Sequence, residues 1–103
     1  MSNWTPIVPL ADIPPLGSRV VRTADGDIAV FRTAEDKVFA LHDKCPHKGG
    51  PLSQGIVYGE RVACPLHGFQ IGLADGRALP PDEGHTACFQ VKVDDGMVYL
   101  ELK

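Results

Sequence analysis

The sequence predicts an all-β fold, an antiparallel sandwich or partly closed barrel. Three observations support it. Short extended runs of about average strand length recur along the chain. Turn residues separate them, because the 103 residues include 11 glycines and 9 prolines, which favour turns and loops over long helices. No stretch sustains the apolar period of a helix.

The first strand is expected over residues 4–10. Ala11-Asp12-Ile13-Pro14-Pro15 suggests one short helical turn, limited by its prolines. Strands over 19–23 and 27–33 flank Ala24-Asp25-Gly26, whose Asp-Gly pair signals a hairpin. After a polar turn at Ala34-Glu35-Asp36, a strand over 37–41 delivers the chain to Cys45, and one over 60–63 delivers it to Cys64. A strand over 69–73 and a turn at Ala74-Asp75-Gly76-Arg77 follow. A hairpin of 87–93 and 97–102 around Asp94-Asp95-Gly96 completes the set. Within 87–93, alternation puts Cys88, Gln90 and Lys92 on one face and Phe89, Val91 and Val93 on the other.

Length predicts a single domain over residues 1–103. Apolar and charged contents of 44% and 22% are ordinary for a globular chain. A net charge of -3 argues against a nucleic-acid partner, which would want a basic patch. No apolar run approaches the roughly 20 residues that span a bilayer, and the first residues lack a secretory pattern, so no membrane role and a cytoplasmic location are expected. Three cysteines are too few for a disulfide scaffold, which suits a reducing compartment.

Two short arms carry the chemistry. Cys45-Pro46-His47 and Cys64-Pro65-Leu66-His67 each pair a thiolate with an imidazole, and neither is long enough to wrap a metal alone. Two cysteines and two histidines match a 2Fe-2S cluster in which the sulfurs hold one iron and the imidazoles the other. The same donors also suit tetrahedral zinc. Zinc modules with this ligand set, however, usually take both cysteines from one arm and both histidines from the other, so the mixed arms favour the cluster. Pro46 and Pro65 stiffen each arm after its thiolate. Gly49, Gly50 and Gly68 permit backbone paths that aim N–H groups at the cluster.

The run Cys45-Pro46-His47-Lys48-Gly49-Gly50-Pro51-Leu52-Ser53-Gln54-Gly55, followed by Cys64-Pro65-Leu66-His67-Gly68, resembles the Rieske ferredoxin family. Within that family, Lys48 to Gly55 is similar to the small subunits of assimilatory NADH-dependent nitrite reductases. The resemblance implies one 2Fe-2S cluster per chain, bound by Cys45, His47, Cys64 and His67 in loops over about 43–55 and 62–70. It also implies a base of strands with a smaller cluster-bearing tip. The implied role is electron transfer with a larger subunit carrying flavin, siroheme and iron–sulfur groups, which reduces nitrite to ammonia. The alternatives are a ferredoxin that feeds a ring-hydroxylating oxygenase, and a docking module that holds zinc or no metal. High-potential members of the family join their ligand loops by a disulfide. The matching positions here are Gly50 and Leu66, and Phe69 stands where those members carry a serine. Both departures imply a potential in the lower part of the Rieske range of about -150 to +300 mV.

Other residues admit plainer readings. Leu79-Pro80-Pro81 is similar to the segment that covers the cluster in such proteins, and reads equally as a rigid loop. Cys88 is expected to be a packed or edge thiol, and His42 and His85 surface or hydrogen-bonding residues, with His42 nearer the site. Lys48 is expected to be solvated. Leu52, Leu66 and Phe69 either shield the cluster or form an apolar docking patch.

Overall fold

A computed structural model describes residues 4–23, 26–44, 51–64, 70–79 and 84–101. Among them the chain forms ten strands, all paired antiparallel, and two 3-10 turns. The strands are β1 (Trp4–Pro9), β2 (Ser18–Thr23), β3 (Gly26–Arg32), β4 (Val38–His42), β5 (Ile56–Tyr58), β6 (Arg61–Ala63), β7 (Gln70–Gly72), β8 (Cys88–Phe89), β9 (Val91–Asp94) and β10 (Met97–Glu101). The turns are Leu10–Asp12 and Leu52–Gln54.

They assemble into three open sheets, ordered β1-β10-β9, β2-β3-β4-β8 and β5-β6-β7. Strand β3 is buried on both faces, since Ile28, Ala29, Val30 and Phe31 are all nearly inaccessible. Ile28 and Val30 pack with Ile13, Ala40, Val98 and Leu100 in a base cluster. Ala29 and Phe31 point the other way, into a cluster with Leu41, Leu52, Val57, Val62, Cys64, Ile71 and Leu73. The period-two alternation of one strand thus seals a base and a smaller subdomain against each other.

The all-β expectation and most strand positions hold. Pro6 and Pro9 lie in β1, at the edge of its sheet, where a missing N–H breaks no ladder. Asp94 pairs with Met97, leaving Asp95-Gly96 as a two-residue turn with φ of 52° and 78°, the left-handed pair that a type I′ hairpin requires. Thr23 likewise pairs with Gly26, although the remainder of that expected turn lies outside the described residues. Thr33 organises the β3–β4 turn: its hydroxyl accepts hydrogen bonds from the N–H groups of Glu35 and Lys37 at 3.3 and 3.1 Å.

Two expectations need correction. The single strand expected over 87–93 is two strands in different sheets, because β8 pairs with β4 whereas β9 pairs with β10. The chain changes sheets at Gln90, whose carbonyl accepts a hydrogen bond from the Glu101 N–H at 3.0 Å. Phe89 and Val91 both still pack against the base cluster, so the alternation survives the break up to Val93, which is 43% exposed. Strand β5 was not expected: three residues joined to β6 through Gly59-Glu60, with Tyr58 opposite Arg61.

A buried crossing ties β7 to the segment that precedes β8. Gly76 accepts the Thr86 N–H on its carbonyl at 2.8 Å, has a φ of 72°, and a Cβ on it would run into the Thr86 carbonyl oxygen. Gly76→Ala should therefore destabilise the fold by about 2 kcal/mol or more, read as a lower midpoint of urea unfolding.

Candidate metal centre

Each ligand arm grows from the end of a strand. Strand β4 ends at His42, and Asp43 and Lys44 lead into the first arm; β6 ends at Ala63, so Cys64 opens the second. Of the four candidate ligands, Cys64 is described, and it is buried in the apolar cluster shared with Leu41 and Leu52. Cys45, His47 and His67 lie outside the described residues, as do Lys48, Gly49, Gly50, Leu66, Gly68 and Phe69.

The two roots are tied together. The Asp43 carboxylate accepts the Ser53 backbone N–H at 2.7 Å and the Ser53 hydroxyl at 2.8 Å. In turn the Ser53 carbonyl accepts the Ser18 hydroxyl at 2.7 Å, reaching across to β2. Two residues on, Gly55 packs so closely on the Ala63 carbonyl that a Cβ would collide with it. The chain leaving the first arm is thereby seated on the root of the second. Farther out, Lys37 and Glu60 form an exposed ion pair at 2.8 Å that links the β3–β4 turn to the β5–β6 turn. The hydrogen bond and the charge of Glu60, with a further contribution from Glu35, hold the Lys37 ammonium above its ordinary pKa.

Several open readings close. Leu52 is completely buried, so it belongs to the core rather than to a docking patch. His42 lies at the end of β4 with its ring against Gly26, its N–H on the Ala87 carbonyl at 2.8 Å and its carbonyl accepting the Thr86 hydroxyl at 3.4 Å. Cys88 is an exposed thiol in the short edge strand β8. His85 is exposed and bridges to Arg77. Leu79 is fastened to β7 through its N–H on the Gln70 carbonyl at 2.9 Å, while Pro80 and Pro81 lie outside the described residues. Sequence reasoning missed Asp43, Ser53 and Ser18. The available signal was that one polar residue stands before Cys45 and another after the glycine-rich stretch, at the two mouths of one loop.

Cys64, the candidate donor among the described residues, fits an iron–sulfur cluster: it sits in an apolar shell that excludes water, and such a shell tunes a metal group's potential. Comparison with known proteins agrees. Residues 3–101 match the model of the Rieske-like [2Fe-2S] domain, which favours the cluster over zinc. The ferredoxin CarAc of Metapseudomonas resinovorans is 32% identical over 100 residues, covering 94% of this chain and 92% of that one. The 4beta-methylsterol monooxygenase of Methylococcus capsulatus is 41% identical over 91 residues, covering 78% of this chain but only 24% of that larger protein. A solved structure described as the small subunit of a nitrite reductase (NADPH) superposes with a TM-score of 0.80 at 28% identity, covering 95% of this chain and 99% of that one.

The core placement of Leu52 has a measurable consequence. Leu52→Ala should cost about 2–5 kcal/mol, whereas Ile56→Ala, at a side chain 71% exposed, should stay within about 0.5 kcal/mol. The midpoints of urea unfolding for the two variants check this.

Proposed function

We propose, because this chain belongs to the Rieske-like [2Fe-2S] domain family, that Cys45, His47, Cys64 and His67 hold its 2Fe-2S cluster. We further propose that the chain is the small electron-transfer subunit of an NADH-dependent nitrite reductase. The cluster, when bound, supplies one-electron exchange at a potential raised by its two imidazole ligands. The chain's own residues prepare the site for that exchange. Cys64 enters from a rigid strand into a dry cluster of side chains, and Asp43 with Ser53 closes the mouth of the first arm. These contacts fix the ends from which the two arms spring.

The observation that carries the nitrite reductase reading is the end-to-end likeness to a structure assigned provisionally as a nitrite reductase (NADPH) small subunit, at 28% identity over 95% of this chain. The Lys48 to Gly55 run supports it. On this reading the large subunit performs the reduction of nitrite and the present chain supplies or relays electrons, in the cytoplasm. No helix among the described residues is long and apolar enough to cross a membrane.

A second reading, a ferredoxin serving a ring-hydroxylating oxygenase, is favoured by the 32% identity to CarAc over 92% of that protein's length. The two differ in their customer and not in their cluster, so fold alone does not choose between them.

Affinity purification from the native cell separates the two. A siroheme-bearing large subunit that co-purifies and reduces nitrite with NADH is the expected result; recovery of a non-haem iron oxygenase instead would establish the second reading. Ligation is tested separately. Cys64→Ser should abolish the visible absorption and the EPR signal of the dithionite-reduced protein, while Cys88→Ser should leave both intact.

A further inference from the structure

We propose that Asp43 is a positioning residue for the cluster, acting through Ser53 to fix the span that residues 44–52 must bridge. This rests on the reading of Cys45, His47, Cys64 and His67 as the ligands. Asp43 grips Ser53 at two points, one carboxylate oxygen on the backbone N–H at 2.7 Å and the other on the hydroxyl at 2.8 Å. Bonds of this charge-assisted kind are short and roughly twice as strong as neutral ones. Both residues are half-buried, so water competes less for them than at an exposed site.

The grip is anchored at each end. The Asp43 N–H donates to the Asp27 carbonyl at 2.8 Å, which extends the β3–β4 ladder by one bond past β4. The Ser53 carbonyl accepts the Ser18 hydroxyl from β2, and the flanking Leu52 is fully buried. Gly55 then seats the same turn on Ala63, immediately before Cys64. One mouth of the loop is therefore fixed to the central sheet and the other to the root of the second arm.

Location gives the grip its purpose. The two side-chain bonds join no strands of the frame. They bracket residues 44–52 alone, and that stretch contains two of the four proposed ligands. Closing the mouth in advance removes loop entropy that cluster binding would otherwise have to overcome. Asp43 thus sets how tightly the cluster is retained and how its ligand field is shaped.

The test uses the full chain loaded with its cluster, in the forms Asp43→Asn, Ser53→Ala and Ser53→Thr. The readouts are the rate of cluster loss to an iron chelator and the EPR g-values of the reduced protein, with far-UV circular dichroism as the control for folding. Ser53→Ala keeps every charge, so a changed g-anisotropy in it reports geometry and not electrostatics. Its cluster should be lost several-fold faster, and Ser53→Thr, which restores the hydroxyl, should return the parent rate. Asp43→Asn should accelerate loss about tenfold or more, the factor that one hydrogen bond to a charged group represents. Parent rates and g-values in both Ser53→Ala and Asp43→Asn would overturn the proposal, and if Asp43→Asn does not fold the Ser53 pair decides it. A parent protein that holds no cluster would overturn the ligand assignment itself, a result distinguishable from the failure of the grip.

Discussion

Strand β3 has no face to spare for solvent. Four consecutive residues, Ile28 to Phe31, are buried, and their side chains alternate between two apolar clusters that share no other element so completely. Full burial of an aliphatic or aromatic side chain contributes about 1.5–3 kcal/mol, so this strand is a large share of what holds a small domain together. Its second consequence is geometric. Leu41 of the adjacent β4 joins Ala29 and Phe31 in the same cluster as Cys64, so the roots of both ligand arms are referred to one sheet. Anything that displaced β3 would move both arms.

The features visible in the sequence are those whose cause is local. Asp95-Gly96 announces a turn because its two residues tolerate left-handed backbone, and the structure places both there. The four proposed ligands stand out because soft donors at close spacing rarely occur without a metal. Other features depend on partners distant in the chain. The change of sheet at Gln90 leaves no mark, since the alternation from Cys88 to Lys92 reads the same whether one sheet or two receive it. Strand β5 has only three residues and acquires its identity by pairing with β6. Leu52 stands in a glycine-rich loop and reads as shielding the cluster or forming a docking patch, yet it is core because the 3-10 turn folds it into the apolar cluster that also holds Val62 and Ile71. Asp43 and Ser53 are ordinary surface types until Ser18, 35 residues away, completes their chain.

Stability and redox function are arranged on different scales in this molecule. The frame is apolar and general, shared in outline by proteins with different customers, while the contacts that shape the site are a few polar ones at loop mouths. Polar groups withdrawn from water carry a penalty unless satisfied, and among the described residues Asp43, Ser53 and Ser18 satisfy one another at the mouth of the first arm. That arrangement suits a protein whose cluster changes charge on every turnover. The apolar side chains around Cys64 keep water from that side of the site, and such a shell tunes the potential of a bound metal group.

The choice of redox partner cannot reside in that shared frame, because the same antiparallel scaffold is common to the ferredoxin and the reductase subunit that resemble this chain. It is left to positions whose side chains can vary without disturbing either apolar cluster. Strand β5 meets that condition: Val57 points into the core, whereas Ile56 and Tyr58 on its other face are exposed, and Arg61 across the turn stacks 5.7 Å from the Tyr58 ring centroid. Ile56 also stands opposite Ala63, the residue before Cys64, so its exposed side chain lies at the root of the second arm. Substitutions at Ile56 and Tyr58 on this edge leave Val57 and the buried residues of both apolar clusters untouched.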